Sequence, residues 1–136
     1  CQDSLGWSID PDVYQDELGF SRLTWKSEDE TVGGAARLWT QPLAIDGRSV
    51  NGQPKELLKA EDGWEHKTIE NPSMVKVDGT WILLYSGNRW NTDQYAVGYA
   101  VCDSATGPCH RPRSSKIRAN GAVPVDRLPP PASSTP

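Results

Sequence analysis

A repeat with a sixty-residue period constrains this chain more than any other feature of its sequence. One copy runs Ile9-Asp10-Pro11-Asp12-Val13-Tyr14-Gln15-Asp16-Glu17-Leu18-Gly19, followed by Phe20-Ser21-Arg22-Leu23-Thr24-Trp25-Lys26-Ser27. The other runs Ile69-Glu70-Asn71-Pro72-Ser73-Met74-Val75-Lys76-Val77-Asp78-Gly79, followed by Thr80-Trp81-Ile82-Leu83-Leu84-Tyr85-Ser86. Each copy has Ile, an acid, a nearby Pro, an apolar pair, a turn ending in Gly, and an apolar stretch ending at an aromatic. Gly79 follows Gly19 by 60 positions, and Glu70 follows Asp10 by the same 60. A chain that repeats itself at this spacing builds one unit twice and must bury the same face of each.

Each copy predicts a β-hairpin. Asp78-Gly79 is a tight-turn signal because Gly takes positive φ without a Cβ clash, and Glu17-Leu18-Gly19 is a longer form of the same turn. Leu23 with Trp25, and Leu83 with Tyr85, share a face because side chains alternate along a strand. Further strands are predicted over 36–43, at Glu56-Leu57-Leu58 after the Asn51-Gly52 turn, and over 95–101, where Tyr95, Val97, Tyr99 and Val101 alternate. No segment predicts a helix. The fold class is all-β, with two units of about four short antiparallel strands, at about 7–62 and 63–121. That pattern suits propeller blades or a repeated sandwich.

Composition narrows the function. The chain has 136 residues, room for one domain, and its 36% hydrophobic content exceeds that of a disordered tail. Fourteen Lys and Arg stand against eighteen Asp and Glu, a net charge of -4, which disfavours nucleic acid as a partner. No apolar run is long enough to span a membrane. Residues 122–136 are Pro-rich and predict an extended or disordered tail. The basic stretch from Arg111 to Arg118 predicts a solvated loop. The chain begins with Cys1, which predicts a processed product or a fragment.

The repeated acids are the candidate chemistry. If the units are blades, Asp10 and Glu70 lie at one radius and face one pocket. Two carboxylates beside aromatics suit glycoside hydrolysis, in which one protonates the leaving oxygen and the other activates water or attacks. Trp7 and Trp90 lie near these segments in sequence, and exposed indoles stack on sugar rings. The structural alternative is that both acids cap turns and the Trp residues fill cores.

These strings resemble glycoside hydrolase family 43. The matching segments are Ser8 to Asp16 with Leu23 to Ser27, Ile69 to Lys76 with Gly79-Thr80-Trp81, and Tyr85-Ser86-Gly87-Asn88 leading to Tyr95 to Ala100 and Gly107-Pro108. Together they cover about residues 1–121. The resemblance implies a five-bladed β-propeller that cleaves α-arabinosyl or β-xylosyl bonds with inversion, of which this chain holds about two blades. By motif, Asp10 matches the Asp that tunes acidity and Glu70 the general acid, although the small residue usual after that Glu is here Asn71. The general base has no match and is expected on a blade preceding Cys1. Asn88, Trp90 and Trp7 are the expected substrate contacts. No cofactor and no metal are expected, and the intact protein is expected to be a monomer. A non-catalytic carbohydrate-binding module is the alternative function.

Cys102 and Cys109 flank the turn Thr106-Gly107-Pro108, so a local disulfide is expected if the protein is secreted, as polysaccharide-degrading enzymes usually are. A zinc site of Cys102, Cys109 and His110 lacks a fourth ligand. Two blades alone leave sheet edges and an apolar face uncovered, which predicts a marginally folded, inactive polypeptide.

Overall fold

The computed structural model describes residues 5–28 and 34–117. It contains eight strands: β1 (Trp7–Gln15), β2 (Ser21–Glu28), β3 (Arg37–Pro42), β4 (Lys55–Lys59), β5 (Ile69–Val77), β6 (Thr80–Gly87), β7 (Ala96–Cys102) and β8 (Cys109–His110). They form two four-stranded antiparallel sheets, β1-β2-β3-β4 and β5-β6-β7-β8. A 3-10 turn, Gly63–Glu65, lies in the link between the sheets. The proposed tail at 122–136 and Cys1 lie outside the described residues.

The sheets stack face to face, with β5 against β1, β2 and β3, and β4 touching β8. The hydrophobic core fills this seam: Tyr14, Leu38, Met74, Trp81, Leu83 and Tyr85 are all buried. Strict alternation along β6 produces it, since Trp81, Leu83, Tyr85 and Gly87 are buried and the residues between them are half-exposed. In β7 the bulky set Val97, Tyr99 and Val101 is turned away from the seam, and Gly98, Ala100 and Cys102 are turned in. The reason is Trp64, whose ring stacks at 25° on Tyr85, 6.0 Å between centroids. A Cβ on Gly98 would lie 2.7 Å from that ring, and one on Gly87 2.6 Å, so only Gly leaves room for it.

Polar groups close the seam at the link. The Glu65 carboxylate, 1% exposed, accepts from Arg111 Nε at 2.6 Å and Nη2 at 2.9 Å, from the Tyr85 hydroxyl at 2.6 Å, and from the Glu61 amide at 3.0 Å. Arg111 Nη2 also donates to the Lys59 carbonyl at 2.6 Å, so one guanidinium joins the last strand of the first sheet to the link. The stretch read as a solvated loop therefore contributes a half-buried anchor, because a bidentate carboxylate offsets the desolvation of the guanidinium. At the opposite end of the seam, the Tyr14 hydroxyl donates to the Ala105 carbonyl and bonds Thr40. Glu17 accepts there from the Trp81 indole and from the Ala105 amide. A disulfide joins Cys102 to Cys109 across β7 and β8.

Arg111→Met should cost about 3–5 kcal/mol in urea denaturation, because it strands a buried carboxylate; a loss under about 1 kcal/mol would mean that water already reaches Glu65. A second expectation follows from the tyrosines. Burial raises the Tyr14, Tyr85 and Tyr95 hydroxyls above their ordinary value, aided at Tyr85 by its bond to Glu65. The folded state then holds protons that the unfolded chain gives up above about pH 10. Their stabilisation is complete below that pH and is lost as pH rises toward the folded values. Melting temperature should fall across this alkaline range, and Tyr85→Phe should flatten the fall.

Candidate active site

The two copies of the repeat diverge at the residues singled out for chemistry. The first strand of each sheet carries a β-bulge, at Ile9/Asp12 in β1 and at Glu70/Ser73 in β5. Each bulge contains a proline, Pro11 or Pro72, which has no amide to give the ladder. The residue before each proline has positive φ, 56° at Asp10 and 51° at Asn71. Asp and Asn tolerate this region better than other residues with a side chain. Ladder partners give the same frame. Ile9 pairs with Lys26 and Glu70 pairs with Ser86, while Lys26 and Ser86 occupy matching places in β2 and β6. The counterpart of Asp10 is thus Asn71, and the counterpart of Glu70 is Ile9. Aligning the acids put the first strands one residue out of register; the prolines mark the true frame.

This slip still brings the two acids together. The Asp10 carboxylate crosses the seam and accepts a hydrogen bond from the Asn71 backbone amide at 3.1 Å, one residue from Glu70. Glu70, with its side chain 15% exposed, receives a donor on each oxygen. Lys26 Nζ, 3% exposed, lies 3.2 Å from Oε2, and the Tyr95 hydroxyl donates to Oε1 at 2.6 Å. Asn71 Nδ2 reaches the Tyr95 oxygen at 3.4 Å. Three chain segments, β2, β5 and the turn before β7, therefore converge on one carboxyl group. Burial and the hydrogen bond to Glu70 raise the Tyr95 hydroxyl, so it stays protonated as a donor at neutral pH.

The expected substrate contacts separate into two kinds. Trp7 and Trp90 are 72% and 78% exposed, so their rings are free to meet a ligand. Asn88 is committed to backbone: its amide donates to the Trp64 carbonyl at 2.7 Å and its oxygen accepts from the Arg89 amide at 2.8 Å. It sits at φ 75° and shapes the turn after β6. Lys26 and Tyr95 were not singled out as site residues. Their signal was available in part, since Lys26 alternates with Arg22 and Thr24 on a strand, and a buried Lys needs an acid opposite it. A hollow of about 590 Å³ lies on the first sheet, lined by Ile9 and Pro11 on either side of Asp10 and by Ser8, Leu23, Trp25 and Arg48 among others. Its lining among the described residues carries no carboxylate, although among those residues the Trp25 Nε1 and Ser8 Oγ atoms are buried without a hydrogen-bond partner.

Residues 2–124 match the family Glycosyl hydrolases family 43. The chain belongs to this family. It is 28% identical over 116 residues to a Beta-D-galactofuranosidase xynD of Aspergillus niger, covering 85% of this chain and 30% of that protein. It superposes with a TM-score of 0.71 on a thermostable family-43 glycoside hydrolase, at 22% identity over 79% of this chain and 37% of the other. An endo-1,4-beta-xylanase of Bacteroides thetaiotaomicron gives 0.70 at 28% identity, again over 79% and 37%. The chain thus spans about a third of the length of these relatives. The two sheets are two blades of the family's β-propeller, and β1 and β5 are their first strands.

Asp10→Ala should cost about 2–3 kcal/mol, from the lost hydrogen bond and from a Cβ residue left at positive φ without its local polar contacts. Asp10→Asn, which keeps an acceptor and tolerates that φ, should cost less than about 1 kcal/mol. Equal losses in urea denaturation would show that the Asn71 contact contributes nothing.

Proposed function

We propose that the chain forms part of a secreted glycoside hydrolase that cleaves O-glycosyl bonds in arabinose- or xylose-containing plant polysaccharides with inversion. Glu70 is the general acid and Asp10 its tuner. The observation that supports this reading is the Asp10 carboxylate seated on the amide next to Glu70, a contact between the acid-bearing segments of the two blades. A general acid must keep a proton that a free Glu, with a pKa of about 4.3, would lose. A second carboxylate nearby disfavours a second negative charge and so favours the protonated form. The general base comes from a blade outside this sequence, since no third acid here falls in a matching motif and inversion needs a base on the opposite face of the sugar. Relatives named for galactofuranoside and xylan cleavage support a pentose or furanose ring as the unit recognised. The Cys102–Cys109 disulfide fits an oxidising compartment.

A second reading, a non-catalytic carbohydrate-binding unit, is favoured by the exposure of Trp7 and Trp90. One substitution separates the two readings. In a polypeptide that carries this chain and turns over substrate, Glu70→Gln should lower hydrolysis of a poor leaving group by about 10²–10⁴ and that of an activated aryl glycoside far less. Equal losses on both substrates would remove Glu70 from the acid role. Saccharide binding that survives Glu70→Gln but is lost when both Trp7 and Trp90 become Ala, with no turnover from any form, would favour the binding unit.

A further inference from the structure

We propose that Lys26 and Tyr95 are the positioning residues of the Glu70 carboxyl group, and that they assign its transferable proton to Oε1. The first part stands on geometry alone; its catalytic meaning rests on Glu70 being the acid.

The two donors differ in kind. Lys26 comes from β2, on the neighbouring blade, and its ammonium is buried 3.2 Å from Oε2. An ammonium has three donors and no acceptor. A proton placed on Oε2 toward Lys26 would meet another proton, so that lone pair is closed to it. Tyr95 comes from the turn before β7, and its hydroxyl donates to Oε1 at 2.6 Å. A phenol both donates and accepts. When Glu70 gains a proton on Oε1, the Tyr95 hydroxyl can rotate and accept it, keeping the hydrogen bond with its direction reversed. The Asn71 side-chain amide, 3.4 Å away, already points a donor at the same oxygen, so accepting is an established role for it. Two donors on two different oxygens also stop the carboxyl from turning about its last bond, which one donor would allow.

The charged and titratable groups around Glu70 are therefore Lys26 from β2, Asp10 from β1 by way of the Asn71 amide, and Tyr95 from the turn. Asp10 disfavours the ionised form, whereas Lys26 and Tyr95 favour it, and the latter two make direct contact. Lys26 acts on the carboxyl group by direct contact and Asp10 acts from across the Asn71 amide, so the two charges oppose each other there.

The test is a carboxyl-carbon NMR titration of Glu70 in the full isotope-labelled chain, the signal assigned by its absence in Glu70→Gln. Lys26→Met should raise the midpoint by about one unit or more, as expected when an opposite charge within hydrogen-bond reach is removed. Tyr95→Phe should raise it by less, Lys26→Arg should restore it, and Asp10→Asn should lower it. Midpoints unchanged in Lys26→Met and Tyr95→Phe would overturn the proposal. Should Lys26→Met not fold, Tyr95→Phe and Lys26→Arg carry the test, because each keeps the bulk that fills the seam. Unmoved titrations leave the leaving-group pattern of Glu70→Gln intact, and equal losses in that pattern leave the titrations intact, so each failure is distinguishable from the other.

Discussion

The buried carboxylate of Glu65 is the contact on which the relation between the two blades depends. It collects two N–H groups of one guanidinium, a phenol and a backbone amide, and that guanidinium reaches on to the end of β4. A carboxylate with 1% exposure is tolerable only when every lone pair is used. Its partners come from the link, from β6 and from the residue after β8, and Arg111 carries the contact on to β4. Satisfying the charge therefore fixes how the sheets face each other, and the positions of Asp10, Lys26 and Glu70 across the seam follow.

The seam uses different chemistry along its length. Its middle is apolar, with Leu38, Leu83 and Tyr85 wholly buried. Its two ends are polar, with the Tyr14, Glu17 and Ala105 contacts at the β1–β2 turn and the Lys26, Glu70 and Tyr95 contacts near the bulges. Apolar packing supplies the non-directional attraction, and directional bonds at the ends choose the angle and register of the two sheets. The candidate active site lies at a polar end because that is where the bulges break the ladders and turn side chains out of the pleat.

Much of the architecture was legible in the sequence. The two hairpins, the fourfold strand content of each unit and the absence of a predicted helix all follow from alternation and from Gly-bearing turns such as Asp78-Gly79. The repeat itself was visible, and so was its family resemblance. Its frame on the first strands was not, because acids were matched to acids. Backbone geometry aligns Pro11 with Pro72, since a missing amide forces the same break in both ladders, whereas a carboxylate forces nothing on the backbone. The bulky face of β7 was equally misleading. Its alternation was clear, but which side met the seam depended on Trp64, thirty-odd positions upstream.

By itself, the sequence determined which segments are strands, where they turn, and that one unit is built twice, because those properties arise from neighbours along the chain. Only the tertiary structure decided that Asp10 sits on the Asn71 amide, that Lys26 meets Glu70, and that the Asn88 side chain is tied to the Trp64 carbonyl. Each of these is a contact between segments far apart in the chain. Such contacts depend on the angle between two sheets, and no local propensity encodes that angle.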